Sequence, residues 1–295
     1  MKDGFQVVGI QHIDRQPVHG FGGRKQQGRP VVSILLLLLI AAGCLTCNLF
    51  VDKDPSYLDL THSNVAPNRD HLFGTDTMGR DIFSMIWYGG RISLCIGSVS
   101  TFIATVLAVI VGAVSGCASK RADGLIMRMV DILLSVPSLL VVMLLQAILG
   151  KASVLSMAIV IGLTGWMSMS KVIRTEVRQI KNSGYVIASK CMGGRFFHIL
   201  WHHLVPNFIS SIMFMVIMNV RTAIAAESTL SFMGIGLPIE VISWGSMLSL
   251  AEQALAGSAW WMILIPGFFL TVTLVCLTNL GNYLRRSING RHSNL

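Results

Sequence analysis

The sequence predicts an all-α membrane protein in which six transmembrane helices cross a bilayer and both termini lie in the cytosol. Apolar residues make up 53% of the 295 residues and charged residues only 13%, with a mean hydropathy of +0.66. Soluble domains carry roughly a quarter charged residues, so this composition indicates an integral membrane protein. Several uncharged runs are long enough to cross a hydrocarbon layer of about 30 Å. The basic residues gather between alternate runs, which predicts the orientation.

The N-terminal part alternates between polar and apolar segments. Residues 1–30 are polar and glycine-rich and predict a flexible cytosolic tail. Residues 31–50 carry no charge and predict the first transmembrane helix, because the run is too long for the apolar part of a signal peptide. Residues 51–90 turn acidic and irregular and predict an external loop that contains a short helix.

Residues 91–284 are expected to hold a core of five further helices, and residues 285–295 a second cytosolic tail. A basic segment at residues 171–205 separates the fourth span from the fifth. Pro137 is expected to kink the third span, and Asp131 to pair locally, with Arg128 or water, near its cytosolic end. The five expected spans are Ile92–Ala118, Val130–Leu149, Ala152–Ser170, Leu204–Ala226 and Ala259–Leu280.

The formal net charge of +9 could indicate a nucleic-acid partner. The basic residues fall between apolar spans and not on one amphipathic face, so positive cytosolic loops explain them and no nucleic acid is expected. The Lys and Arg residues outside the assigned cytosolic segments are Lys53, Arg69, Arg80, Arg91, Lys151 and Arg221. The six cysteines lie mostly inside apolar runs, so no disulfide framework is implied.

The basic stretch YVIASKCMGGRFFHILWHHLVPN, residues 185–207, is flanked by apolar runs and must lie outside the membrane. It resembles the "EAA" loop of bacterial ABC importer permeases, with Ala188, Gly193 and Pro206 at matching places. Ile187 stands at the family's Glu position and Ser189 at its second Ala. The resemblance implies a coupling helix that docks into a groove on an ATPase subunit. The residues expected in that coupling are Tyr185, Ile187, Ala188, Ser189, Met192, Gly193 and Pro206.

A second motif, GTDTMGRD, begins at Gly74. The residues alone predict a capped turn in which Asp76 accepts backbone N–H bonds at the start of a helix through Ile86. The motif is similar to the "GTDxxGRD" signature of the dipeptide, oligopeptide and nickel branch of the ABC importers. The matching residues are Gly74, Thr75, Asp76, Gly79, Arg80 and Asp81.

A third stretch, AESTLSFMGIGLPIEVISWGSMLSLA, covers residues 226–251 and resembles that branch's "AExxLSFLGLG…WG" stretch. Its tryptophan, like Trp260 and Trp261, suits an external membrane interface. Arg221 and Glu227 are ionisable residues at this boundary. Their separation turns about 600° on a helix, so they should find counterparts in a partner chain or an aqueous cavity and are the candidate substrate path. The matching residues are Glu227, Leu230, Ser231, Phe232, Gly234, Gly236, Trp244 and Gly245.

Together these resemblances imply the type I ABC importer permease fold in a multi-pass protein of the bacterial inner (plasma) membrane. The chain would form half of a translocation pathway, as a heterodimer with a homologous permease in the lipid bilayer, with two cytosolic ATPase subunits and an external solute-binding protein. ATP and Mg²⁺ would bind the ATPases, and this chain would hold no cofactor or metal. The expected cargo is a dipeptide or oligopeptide, and nickel or a metal chelate is the alternative.

Other function classes receive less support from the residues. The sequence contains no GxxxxGK[ST], HExxH or GxSxG motif, so no ATPase or hydrolase activity is expected in this chain. An ion-driven secondary transporter would need charged residues within the spans and internal repeats. A membrane scaffold or signalling subunit would not need the coupling loop.

Overall fold

The computed structural model describes residues 30–292 apart from 52, 151, 182, 185, 187–188, 190–204, 239 and 255–258, with backbone alone at 205–211, 252–254 and 288–292. Within this described part the chain is helical, and the β-type pairing is one isolated bridge between Thr75 and Asp81. The helices are α1 (Val31–Thr46), α2 (Ile82–Cys117), α3 (Lys120–Ser135), α4 (Ser138–Leu149), α5 (Val154–Gly165), α6 (Met167–Lys181), α7 (Val205–Phe232), α8 (Trp244–Ala254) and α9 (Trp261–His292).

Helix length and composition place several membrane spans in the described part of the chain. Four segments are long and apolar enough to cross a bilayer by themselves: Val31–Leu49, Ile82–Cys117, Ile212–Phe232 and Trp261–Ser287. The pairs α3–α4 and α5–α6 pass the same test only when each pair is taken together, and they are bent by 86° and 46°. The protein is therefore a multi-pass membrane protein with four to six candidate spans. The expected number of six is reached if each bent pair counts as one span.

The long helix α2 differs from the expected layout of an external short helix followed by a second span from Ile92. It runs without a break for 36 residues, because Asp81 caps its start and the sequence from Ile82 to Cys117 holds no proline. The boundary expected between residues 90 and 91 therefore has no counterpart. At a rise of 1.5 Å per residue α2 is about 54 Å long, well beyond the hydrocarbon thickness of about 30 Å.

The third and fourth expected spans are both broken. Val136 is extended (φ −90°, ψ 131°) because it precedes a proline, and Pro137 has no N–H to continue the helix, so α3 ends at Ser135. The expected kink is thus a complete break. The fourth span breaks at Trp166, between α5 and α6. The last two expected spans correspond to the helices α7 and α9, which continue beyond the expected ends at Ala226 and Leu280.

Helix α2 forms the centre of the fold and packs against α1, α5, α6, α7 and α8. The GxxxG pattern at Gly112 and Gly116 allows its close approach to α6. A Cβ atom on Gly112 would lie 2.7 Å from the carbonyl oxygen of Ser170, and one on Gly116 would lie 2.7 Å from Val177 Cγ1. These two glycines bring α6 close to the Cys117 end of α2.

Gly112→Leu should lower the free energy of unfolding by about 1–3 kcal/mol, because extra methylene groups in a packed interface displace their neighbours. The unfolding midpoint of the detergent-purified protein measures this change. Gly124→Leu is the matched control, since a Cβ on Gly124 meets no atom within 4 Å. Equal midpoints for the two variants would contradict close packing of α2 on α6.

Candidate functional site

The GTDTMGRD motif forms a buried turn at residues 74–81, here called the Asp76 turn. Asp76 and Arg80 are 2% and 5% exposed. Asp76 Oδ1 accepts the N–H groups of Met78 and Arg80 at 2.9 and 2.8 Å, and its Oδ2 accepts Arg80 Nε at 2.7 Å. Because the carboxylate is committed to holding the turn and its arginine, the contacts favour a structural role for Asp76.

Asp76 accepts backbone N–H bonds in a turn as expected, but the cap of the following helix lies five residues later than expected. Asp81, not Asp76, accepts the N–H and the hydroxyl of Ser84, at 3.0 and 2.9 Å. The reason is the left-handed backbone of Gly79 (φ +75°), which turns the chain between Asp76 and the helix so that Asp81 takes the capping position. Asp81 Oδ1 also lies within hydrogen-bond distance of His71 Nδ1, at 2.9 Å.

The Asp76 turn is anchored to distant parts of the chain. The carbonyl oxygen of Thr75 accepts a hydrogen bond from Trp261 Nε1 of α9 at 3.2 Å. The Thr75 hydroxyl accepts one from the N–H of Val65 at 2.8 Å. A Cβ on Gly79 would lie 1.7 Å from the carbonyl oxygen of Asp59, so only glycine fits there. Hydrogen bonds from the Thr61 hydroxyl and from His62 lower the pKa of Asp59 to about 2, so this carboxylate stays charged at a more acidic pH than an ordinary aspartate does.

Glu227 of α7 is fully buried, and serine hydroxyls from three elements surround it. Ser243 and Ser231 donate to Oε1 at 2.7 and 3.0 Å. Ser93 of α2 and Ser228 donate to Oε2 at 3.1 and 3.4 Å. We call this group the Glu227 cage. The expectation of a partner chain or an aqueous cavity as counterpart is therefore wrong for Glu227, because its own chain supplies the hydrogen-bond donors.

The start of α8 is built onto this cage. Ser93 Oγ accepts the N–H of Trp244 at 3.3 Å. Ser243 and Ser246 exchange backbone-to-hydroxyl bonds at 2.8 and 3.0 Å, which caps α8. Trp244 is fully buried and donates to the carbonyl oxygen of Ile86 at 3.0 Å, so its side chain packs inside the protein, and its expected level at the external membrane interface stays a prediction. Trp260 is exposed, whereas Trp261 is buried.

The glycines of the third motif explain why the loop can close over the cage. Gly234 (φ +75°) ends α7, with the N–H of Ile235 bonded to the carbonyl of Leu230, as in a Schellman motif. A Cβ on Gly236 would lie 2.3 Å from Ser231 Cα, and one on Gly245 would lie 2.6 Å from Ser228 Cα. Only glycine allows these backbones to approach so closely.

Arg221, the other residue of the candidate substrate path, is half-buried near the middle of the Ile212–Phe232 span and is not among the partners of Glu227. Its Nε atom is buried and has no hydrogen-bond partner within the described part of the chain. An ionisable side chain at that depth is costly unless it serves a cavity or a partner.

At the other end of α2 lies another buried carboxylate, Asp123 of α3, which is 3% exposed. Arg174 of α6 contacts it through both Nε and Nη2, the latter at 2.5 Å. Arg178 Nη2 lies 2.8 Å from Oδ2, and Ser115 of α2 donates to Oδ1 at 2.6 Å. We call this group the Asp123 clasp. It joins α2 and α3 to the helix that leads into the expected coupling loop.

Part of the coupling loop can be placed. Val186 and Ser189 are buried, and Val186 packs in one cluster with Ala113 of α2 and Val177 of α6. Pro206 lies in the first turn of α7, where a helix tolerates proline. The other expected coupling residues lie outside the described residues: Tyr185, Ile187, Ala188, Met192 and Gly193.

Sequence reasoning missed the Asp123 clasp. Arg174 and Arg178 are four residues apart and so share a face of α6, and Asp123 stands in the first turn of α3. The spacing of the two arginines can be read from the sequence, but the contact between α3 and α6 cannot. For Asp131 the expected alternatives were Arg128 or water, and the structure instead gives it Lys171 of α6 as its ion-pair partner while leaving its side chain 58% exposed.

Comparison with known proteins agrees with these motifs. The family described as "Binding-protein-dependent transport system inner membrane component" matches residues 104–290. The chain belongs to this family. Over 230 residues this permease is 38% identical to the dipeptide transport system permease protein DppC of Bacillus subtilis, covering 78% of this chain and 72% of the relative.

Two further relatives extend the match. The oligopeptide transport system permease protein OppC of Bacillus subtilis is 36% identical over 259 residues, covering 88% of this permease and 84% of the relative. A putative peptide permease of Brucella suis is 33% identical over 267 residues, covering 90% and 88%. A match over 90% of the chain necessarily includes all three motifs, which lie between residues 74 and 251.

Glu227→Ala should lower the unfolding midpoint strongly, because each buried hydroxyl left without its acceptor costs about 1–3 kcal/mol. Ser243→Ala should lower the midpoint less than Glu227→Ala does, because three of the four donors to Glu227 remain, although the acceptor of the Ser246 N–H is also lost. Thermal unfolding in detergent measures both changes. Glu240→Ala, at an exposed glutamate in the same loop, is the control and should leave the midpoint unchanged. A Glu227→Ala midpoint equal to that of Glu240→Ala would refute the cage.

Asp123→Ala should destabilise the protein by about 1–3 kcal/mol, since it leaves a buried hydroxyl and two arginines without their shared acceptor. Asp131→Ala is the matched control, because an exposed ion pair contributes about 0–1 kcal/mol. Urea unfolding of the two variants in detergent separates them. If both lose the same stability, the Asp123 clasp is no stronger than a surface pair.

Proposed function

We propose that this chain is the transmembrane subunit of an ATP-driven importer of the bacterial inner membrane and forms half of the pathway for dipeptides or oligopeptides. The observation that supports this most is the match to peptide permeases over most of both chains. Its partners in the proposal are a homologous second permease, two cytosolic ATPase subunits that bind ATP and Mg²⁺, and an external solute-binding protein. The chain itself carries no catalytic residue and no cofactor.

The proposed orientation puts both termini and the coupling loop in the cytosol and the Asp76 turn outside. Helix α6 leads into the loop, and the Asp123 clasp joins α6 to α2. Helix α2 then continues without a break to Ser93 in the Glu227 cage. Displacement of the loop by closing ATPases would therefore move α6, α2 and α7 together and switch the pathway between outward and inward access.

Arg221 is the candidate contact for the cargo. A peptide carries a C-terminal carboxylate, and the half-buried guanidinium of Arg221 in mid-span can bind that group by charge-assisted hydrogen bonds. No observation on the described residues favours nickel or a metal chelate as cargo, or an ion gradient as the energy source. The experiment below distinguishes these alternatives from ATP-driven peptide import.

The test uses cells without their own peptide permeases that express this chain with its partners. Uptake of a labelled dipeptide, a labelled pentapeptide and a nickel–histidine chelate is measured. We expect peptide uptake that stops when the partner ATPases lose their catalytic glutamates. Uptake that persists in those ATPase variants would contradict an ATP-driven importer, and uptake of the chelate alone would contradict the peptide cargo.

Coupling is tested on the same complex. Gly193→Trp and Tyr185→Asp should abolish both stimulated ATP hydrolysis and uptake, because a bulky or charged side chain would prevent docking into an apolar groove. Gly124→Trp is the control at a glycine with open space around it. Unchanged hydrolysis in the Gly193 and Tyr185 variants would mean that the loop does not couple the ATPases.

A further inference from the structure

The segment that follows α6 is tied to the end of that helix by short-range hydrogen bonds. Ser183 donates its N–H and its hydroxyl to the carbonyl oxygen of Ile180, at 2.9 and 2.6 Å. The N–H of Val186 donates to the carbonyl oxygen of Ser183 at 3.1 Å. Both backbone bonds join residues three apart, which is the spacing of a tight helical turn. These bonds fix the direction in which the chain leaves α6.

Exposure divides the described residues of this segment between two faces. Gly184 is exposed, whereas Val186 and Ser189 are 0% and 6% exposed. All three residues are helical. Because successive residues of a helix are rotated by about 100°, Val186 and Ser189 project within about 60° of each other, and Gly184 projects about 160° away from Val186. We call the side that carries Val186 and Ser189 the inner face.

The inner face packs into the core of its own chain. Val186 belongs to a buried apolar cluster to which three helices contribute, with Ala113 from α2, Val177 from α6 and Ile212 from α7. Each of these three residues is at most 3% exposed. A close-packed interior has low compressibility and transmits displacement. A movement of the segment therefore reaches all three helices through Val186.

The preceding turns of α6 are attached to the same end of α2. Lys181 Nζ donates to the carbonyl oxygen of Cys117, the last residue of α2, at 3.2 Å. The two arginines of the Asp123 clasp precede Lys181 on α6 by about one and two turns. Polar contacts thus recur about once per turn along α6, and Val186 adds an apolar contact beyond its end. Together they attach the start of the coupling loop to the core.

We propose that Val186 is a positioning residue for coupling, which anchors the coupling loop to α2, α6 and α7 and does not itself contact the ATPases. A side chain that is fully buried in its own chain leaves no surface for the groove of a partner. The same argument moves Ser189 from the expected docking residues to the inner face. This inference rests on the proposed function, which requires ATPases that displace the loop.

The first test measures peptide uptake and ATP hydrolysis by the complete complex in liposomes. Val186→Ala leaves a void between the segment and the cluster. We expect uptake per ATP hydrolysed to fall at least fivefold in complexes that still contain both ATPases. Val186→Ile keeps a branched apolar side chain and should retain at least half of the ratio of the unmodified protein. Val114→Ala is the control, because this valine lies at the same end of α2 and is 48% exposed.

The ratio of uptake to hydrolysis separates positioning from a merely structural role. If Val186→Ala lowers uptake and hydrolysis in the same proportion, the residue only stabilises the complex and the proposal is overturned. A ratio equal to that of Val114→Ala would also overturn it. Absence of ATP-dependent uptake by the unmodified complex is a different result, which would overturn the proposed function and this inference with it.

A labelling experiment tests the inner face without any measurement of transport. Gly184→Cys, Val186→Cys and Ser189→Cys are made one at a time in a chain whose six native cysteines are replaced by serine or alanine. A water-soluble maleimide is added to the permease complex with and without its ATPases. Without the ATPases, we expect Val186→Cys and Ser189→Cys to react at least tenfold more slowly than Gly184→Cys.

The same labelling distinguishes anchoring from docking. An anchoring residue is covered by its own chain, so binding of the ATPases should change the labelling rate of Val186→Cys by less than twofold. Fast labelling of Val186→Cys that becomes slow only when the ATPases bind would identify a docking residue and overturn the proposal. Labelling of Val186→Cys as fast as that of Gly184→Cys in both states would show that the inner face is not packed against the core.

Discussion

The burial of one carboxylate, Glu227, is the constraint on which the arrangement of α2, α7 and α8 depends. A buried carboxylate is tolerated only when hydrogen-bond donors replace water, and here four serine hydroxyls do so. These donors come from positions as far apart as Ser93 and Ser243, so the helices must assemble before the carboxylate is satisfied. The same serines cap α8 and hold the N–H of Trp244. One polar group therefore fixes the relative position of three helices within a mainly apolar fold.

The Asp123 clasp applies the same chemistry at the opposite end of α2, with arginines as the main donors. The difference follows from the surroundings, since Arg174 and Arg178 are partly exposed and can keep contact with water. Both polar groups include a serine of α2, Ser93 in one case and Ser115 in the other. The apolar packing between them is held close by glycines such as Gly97 and Gly112, whose Cβ atoms would meet α7 and α6.

Composition and hydropathy were sufficient to predict an all-helical membrane protein, and the quoted motifs were sufficient to predict its family. Helix ends were harder, because they depend on single residues: the expected start at Ile92 was displaced to Ile82 by the cap at Asp81. The partners of Glu227 could not be predicted, since Ser93 lies 134 residues away along the chain. The burial of Trp244 was also missed, because an indole suits a membrane interface and a buried site equally well until its acceptor, the Ile86 carbonyl, is known.

Because α2 is uninterrupted, it fixes both the distance and the angle between the polar groups at its two ends. Ser93 and Ser115 are separated by about six helical turns and project within about 40° of each other on its surface. One residue inserted between them would rotate one serine by about 100° and shift it by about 1.5 Å relative to the other. The helix could then engage its carboxylate at one end only. A change in the length of this stretch therefore disrupts a polar group at one of its ends, even where every side chain along it is kept.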